Sequence, residues 1–207
     1  MSHQADVITD PEGSGWGAPA CPPHVLKVRD RVAAFVRERV MPYERKLDSG
    51  GGAARTLLRR LRREARAEGL WGLPLPVEQG GAGLSLTEYA HVAEAEGASD
   101  HGPAVLGSTA LLDATVLIGH AAATLRDRYL PQIADGRMTM CNAMTEPETP
   151  GSDPGLTTTW ARREADGSWT VHGRKWFVTG AGEAGLAAVL ARTCAAPPST
   201  TGLSLLL

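Results

Sequence analysis

Cysteine is scarce in this chain, and its distribution excludes two protein classes. Cys21, Cys141 and Cys194 are the 3 cysteines in 207 residues, far apart and odd in number. They form neither a disulfide framework nor the paired spacing of a zinc site, which points to a reducing, cytoplasmic setting. His91, His101 and His120 lack ligand spacing as well, so no metal is expected. No apolar run approaches the length of a membrane span. The first residues, "MSHQADVITDPEGSGWGAPACPP", have no basic start followed by an apolar block, so a secretory leader is not expected; their Gly, Pro and Ala content reads as a flexible tail over 1–23. An excess of one charge is also missing. The formal net charge of −2 gives no electrostatic reason to expect nucleic acid or an anionic membrane.

What is present suits an ordinary folded core. Hydrophobic residues make up 43% and charged residues 21%, close to globular averages, and 207 residues are enough for one large or two small domains. From about His24 to Gly136 the periodicity is helical. Val25, Val28, Val32, Phe35, Val36 and Val40 recur at spacings of three and four, and Pro42 is expected to stop that helix. After the glycines at 50–52, Leu57, Leu58, Leu61 and Ala65 form a second stripe, with Gly69 just past its end. Ser85 and Glu88 have capping-box spacing and should start a third helix running to about Glu96. "LLDATVLIG" is apolar on nearly every face and is expected at the buried centre of a bundle. A last helix should span about Ala122 to Asp135, with a kink near Pro131 and a stop at Gly136.

The pattern changes after Met140. "LTTTWARREADGSWTVHGRKWFVTG" is rich in Thr, Trp and Val, and Asp166-Gly167 is placed as a two-residue hairpin turn. "LAAVLART" and "GLSLLL" read as two further strands joined by "CAAPPSTT". The fold class is therefore α+β: a helical domain over 24–138, then a partial antiparallel β-domain over 139–207. A chain finishing on Leu205, Leu206 and Leu207 reads as an unfinished sheet, because a bare apolar edge invites aggregation.

Between helix and hairpin lies "AMTEPETPGSDP", a loop dense in prolines and small hydrogen-bonding groups. Amides near Gly151 and Ser152 can approach a phosphate, and Thr145 can hydrogen-bond the edge of a planar heterocycle. A rigid connector with local turn bonds from Ser152 or Asp153 accounts for the same composition. Farther on, "GRKWFVTGA" sets Trp176 and Phe177 beside Thr179, a pattern that suits a flat ring system and equally a plain amphipathic hairpin.

Four segments in order, "GLWGLPLPVEQGGAGLS", "YLPQIADGR", "AMTEPETPGSDP" and "VHGRKWFVTGA", resemble the acyl-CoA dehydrogenase family of flavoenzymes, and the loop variant is most similar to the branch with larger multidomain members. The resemblance implies an N-terminal helical domain, a middle β-domain and a C-terminal four-helix domain, with FAD between the last two. It implies that residues 142 to 152 line the flavin, with Met144 and Thr145 near its pyrimidine side. Gly151 belongs to the same lining, and Ser152 is placed at the phosphates and near the thioester's pantetheine. Phe177 and Thr179 would lie against the isoalloxazine, Thr179 near the redox-active nitrogen. Asn142 stands where the family often has an aromatic.

The implied reaction is α,β-desaturation of an acyl-CoA or acyl-carrier thioester. It requires a carboxylate base, donors on the thioester carbonyl, and a flavin to take the β-hydride. In the family the base is a glutamate of the C-terminal bundle, and no residue here matches it. Glu146 is acidic and inside the motif, but it reads as loop scaffold, and Glu148 and Asp153 as turn residues. An electron-transferring flavoprotein and self-association are implied as possible partners. The arginines at 55, 59, 60, 62, 63 and 66 alternate with leucines and glutamates and read as a solvated helix face. "GGAG" at 80–83 lacks a dinucleotide-loop setting and reads as a turn near the acyl-binding surface. A non-catalytic module that pairs with a full-length relative or a separate partner is the alternative.

Overall fold

A computed structural model describes residues 21–194 and 200–207. Residues 1–20 of the tail expected over 1–23 and the middle of the loop "CAAPPSTT" lie outside these residues. Contacts divide the chain into two compact units: residues up to Leu70 with Leu84–Val105, and Trp71–Gly83 with Leu106–Leu207.

The first unit is helical. Helix α1 spans Pro23–Phe35, opening on a proline whose missing N–H would be unbonded there anyway. Pro42 does not end the helical path as expected. The chain widens into a π-type turn over Val36–Val40, passes through a 3-10 turn over Met41–Tyr43 and continues as α2, Glu44–Asp48. The Met41 amide bonds back to Val36 O, five residues earlier. This wider winding admits the proline ring without the clash an unbroken α-helix would impose.

Helix α3 covers Gly51–Ala67, so two of the three glycines lie inside it, and it buries Ala54, Leu57, Leu61 and Ala65. Amide bonds from Gly69 to Arg66 O and from Leu70 to Ala65 O close its end, as the glycine there suggested. Its arginines form a largely solvated face, with Arg60 paired to Glu64 and lying over the Tyr43 ring. Helix α4, Leu86–Glu96, carries both bonds of the Ser85–Glu88 capping box and packs on α1. A short helix, α5, follows at Gly102–Leu106.

The second unit joins helices to a sheet. Helix α6, Ala110–His120, buries Ala110, Asp113, Ala114 and Leu117. It is not wrapped on all sides as its composition suggested: Leu112 is 61% exposed and Ile118 is also open. The buried positions share one face, which meets α7, Ala123–Ala134, and the sheet residues Met140 and Ala188 in one core. Pro131 sits within α7 without ending it. Bonds from Gly136 to Ile133 O and from Arg137 to Gln132 O close the helix at the expected glycine. The segment 80–83 is a compact turn, its amides donating to the carbonyls of Val77, Pro76, Leu73 and Leu75.

Among the described residues five strands follow: β1 Met140–Ala143, β2 Trp160–Arg163, β3 Trp169–His172, β4 Leu186–Arg192 and β5 Leu203–Leu206. The pairs β2–β3 and β4–β5 are antiparallel, as expected, but β1 and β2 each run parallel to β4, so the sheet is mixed. The β2–β3 connection is not the expected two-residue turn. Arg163 pairs with Trp169, the Glu164 amide bonds Ser168 O, and Gly167 takes φ 87° after a tight turn closed by its own bond to Glu164 O. That is a three-residue loop, in which the glycine supplies the left-handed position. Among the described residues no helix is long and apolar enough to cross a membrane.

Candidate functional site

A strand has two edges, and β4 has three neighbours. Val189 pairs with both Ala143 of β1 and Leu206 of β5, while Arg192 pairs with both Trp160 of β2 and Leu203 of β5. Hence β1 and β2 share one edge of β4, and β5 takes the other. Residues 144–159 are an excursion out of that shared edge, carrying the proline-rich motif.

Glu146 holds the excursion from within. Its Oε2 accepts from the Thr158 amide at 2.8 Å and the Thr158 hydroxyl at 2.6 Å. Its Oε1 accepts from the Thr159 amide at 2.8 Å and from Lys175 Nζ at 2.9 Å. The side chains of Lys175 and Glu146 are 9% and 2% exposed. Burial alone would push this carboxyl up. The hydrogen bonds from Thr158, Thr159 and Lys175 overcome it and hold Glu146 well below the usual carboxylate range. A carboxylate so low and so fully bonded has neither the proton affinity nor the access to act as a base, which agrees with the scaffold reading.

Arg192, buried at the end of β4, fixes the far side of the excursion. Its guanidinium donates to Gly155 O at 3.0 Å, Thr157 O at 3.2 Å and Thr201 O at 3.3 Å. Asp153 accepts from the Gly155 amide at 2.9 Å, a local turn bond of the expected kind, and Glu148 pairs with Arg174 at the surface. Thr158, Thr159, Lys175 and Arg192 were not picked out from the sequence. Only the Thr-rich run after the motif hinted that hydroxyls and amides would be needed there. The space beneath the excursion, lined by Met144, Glu146, Pro150 and Leu190 among others, amounts to about 10 Å³, room for one water at most.

Most of the residues singled out from the sequence are exposed. Alternation along β1 buries Cys141 and Ala143 and exposes Asn142 and Met144. Thr145 is half-buried, and Gly151, Ser152, Phe177 and Thr179 are exposed. A Cβ on Gly151 would lie 2.8 Å from Thr145 Cγ2 and 2.9 Å from its Oγ1, so the two segments approach as closely as glycine permits. The Trp176 amide donates to Thr145 O at 3.1 Å, which brings 175–180 beside the start of the excursion. Phe177 is 81% exposed and, among the described residues, is the non-glycine residue with positive φ, 48°. Left-handed backbone costs such a residue about 1–2 kcal/mol. The Trp176 and Phe177 rings lie 4.5 Å apart between centroids. A bulky aromatic kept strained and uncovered is a common mark of a ligand surface. The open aromatic pair offers a flat apolar surface, and Gly151, Ser152 and Thr179 are exposed small or hydroxyl-bearing residues.

Elsewhere in this unit, Asp113 of α6 is buried and accepts the Met140 amide at 3.2 Å. Burial pushes its carboxyl up, partly opposed by that bond.

Comparison with known proteins identifies the family. Residues 23–137 match the model of the acyl-CoA dehydrogenase N-terminal domain, and residues 141–207 that of the acyl-CoA dehydrogenase middle domain. The chain is 31% identical over 193 residues to acyl-CoA dehydrogenase family member 10 of Mus musculus, covering 86% of this chain and 17% of that protein. It is 32% identical over 193 residues to (2S)-methylsuccinyl-CoA dehydrogenase of Cereibacter sphaeroides, covering 93% and 34% respectively. The chain thus spans about a third or less of the length of these relatives. Glutaryl-CoA dehydrogenase from Mycobacterium smegmatis superposes with a TM-score of 0.68 at 28% identity, over 86% of this chain and 45% of that one. A glutaryl-CoA dehydrogenase structure from the same organism in complex with FADH2 shares the fold, with a TM-score of 0.67 at 24% identity, over 87% and 47%. On the strength of both domain matches, this chain is a member of the acyl-CoA dehydrogenases, a family of oxidoreductases.

Proposed function

We propose that this chain supplies the N-terminal helices and one flavin-binding wall of an FAD-dependent acyl-CoA dehydrogenase that desaturates an acyl thioester between its α and β carbons. The observation that carries the reading is the outer face of the excursion: Met144, Thr145, Gly151 and Ser152 held beside strained, exposed Phe177 and Thr179 by a scaffold bonded from within. FAD, when bound, supplies the hydride acceptor. The protein residues bind and orient. Asn142, Met144 and Thr145 present hydrogen-bonding groups to the heterocycle edge, Gly151 and Ser152 offer an amide and a hydroxyl to the phosphates, and Phe177 and Thr179 meet the ring system. Ser152 also lies toward the pantetheine of an acyl-CoA or acyl-carrier substrate.

No described residue takes the part of the α-proton base. Glu146 is sequestered, so the glutamate would come from a helical region outside these 207 residues. A cytoplasmic setting, a role in fatty acid metabolism, reoxidation by an electron-transferring flavoprotein and self-association belong to the same proposal. The exposed Trp169 and Val171 of β3 favour a second reading, a non-catalytic module that pairs with a complementary chain.

The test is to load the purified protein with FAD, remove free flavin by desalting, and record the visible spectrum and flavin fluorescence. Retained flavin, with desaturation appearing only when a glutamate-bearing helical region is supplied, is the expected result. Failure to retain flavin under any condition overturns the cofactor assignment. Desaturation by the 207 residues alone overturns the placement of the base.

A further inference from the structure

The segment 175–180 is fastened to the excursion at its start, closed by a local turn at its end, and strained between. At its start, Lys175 Nζ donates to Met144 O at 2.8 Å and to Glu146 Oε1 at 2.9 Å, and the Trp176 amide donates to Thr145 O at 3.1 Å. At its end, the Ala181 amide bonds Val178 O at 3.2 Å, and those of Glu183 and Ala184 bond Gly180 O at 3.0 Å each. Phe177 stands between the two anchors and takes up the change of direction, with φ at 48°. Its own side chain is almost bare, so packing does not hold it there. The neighbouring anchors must.

Lys175 is the anchor whose side chain reaches across the chain. A surface lysine would have cost nothing in desolvation, whereas this one is buried against a carboxylate and a main-chain carbonyl. We propose that Lys175 is a positioning residue for the flavin face: by tying Met144 and Glu146 to the start of 175–180, it holds Phe177 in its left-handed backbone and sets the spacing of Met144 from Phe177. The role toward the cofactor rests on the flavin reading above. The role toward Phe177 does not.

Two variants examine the second point with no flavin present. Phe177→Gly removes the strain and should raise the folding equilibrium constant about fivefold in the wild-type background, measured by urea unfolding. In a Lys175→Met background the strain is already released, and the same change should alter the constant less than about twofold. Equal gains in both backgrounds would overturn the proposal. If Lys175→Met does not fold, the same comparison is made in a Lys175→Met/Glu146→Gln background, which removes the tie without leaving a buried charge unpaired.

With FAD added, Lys175→Met should weaken binding more than about tenfold and change the visible spectrum of the bound flavin. Lys175→Arg, which keeps the charge and the donors, should recover most of the affinity. A role confined to stability would lower the melting temperature and leave affinity and spectrum unchanged at temperatures where the variant is folded, which also counts against the proposal. If the wild type takes up no FAD, the cofactor assignment falls, and the Phe177 coupling still decides what Lys175 holds.

Discussion

Replacing Glu146 by glutamine tests the internal scaffold of the excursion. The carboxylate receives four hydrogen bonds, all from donors. Glutamine is nearly the same size but must turn a donating NH₂ toward one of these pairs, so a donor faces a donor. It also leaves the Lys175 ammonium buried with no counter-charge. Removing one partner of a buried pair costs roughly 3–5 kcal/mol, a large share of a typical stability of about 5–15 kcal/mol. For a chain of this length that corresponds to a fall in melting temperature of roughly 6–20 °C.

The pH profile of that loss is the sharper measurement. The Glu146 carboxyl lies below its ordinary value in the folded state, so its contribution is complete above the unfolded value of about 4.3. It is lost as pH falls further, toward the folded value. Urea unfolding of wild type and Glu146→Gln at a series of pH values should therefore show a wide gap at neutrality that closes below about pH 4. A gap under about 1 kcal/mol at neutral pH would refute the scaffold argument. So would a gap that stays constant into acid, since the loss would then owe nothing to the charge.

Three further outcomes are expected. Asp113→Asn keeps an acceptor for the Met140 amide while removing a carboxyl whose folded value is raised, so it should stabilise the protein near pH 7 and lose that advantage below about pH 4, checked by urea unfolding at both pH values. Gly151→Ala should press on Thr145 and weaken FAD binding about tenfold or more by fluorescence titration, with less than about 1 kcal/mol change in stability, because the contact is at the surface. Ser85→Ala removes the hydroxyl that accepts from the Glu88 amide, while the amide of residue 85 can still donate to the Glu88 carboxylate, and should cost about 1 kcal/mol, read as a lower denaturation midpoint with an unchanged slope.

The features legible in the sequence were those decided by near neighbours. Ser85 and Glu88 lie three residues apart and form the cap their spacing announces, and Gly69 and Gly136 close the helices that precede them. Pro42 misled because its effect depends on whether the preceding turn can widen, which the isolated proline does not reveal. Asp166-Gly167 marked a turn correctly but not its length, which is fixed by the Arg163–Trp169 register. The apolar run of α6 said nothing about how many of its faces would find partners. At the candidate site, the motif drew attention to the outward residues, while the inner bonds join Glu146 to Thr158, Thr159 and Lys175 across 12, 13 and 29 residues. Lys175 and Arg192 carry no local signal, because the sheet alone brings their partners to them.

The shared edge of β4 also bears on how this segment can change over time. The excursion leaves the sheet and returns to the same strand, and both of its ends are fixed by bonds to Glu146 and Arg192. A residue added or removed between 147 and 153 therefore cannot shift the strand register, which is set on either side by β4. Lengthening such a loop is thermodynamically mild, about 0.6 kcal/mol for each doubling. The motif can thus vary in length, re-aiming its outward hydroxyls and amides at a differently shaped ligand, while the sheet that carries it keeps its pairing.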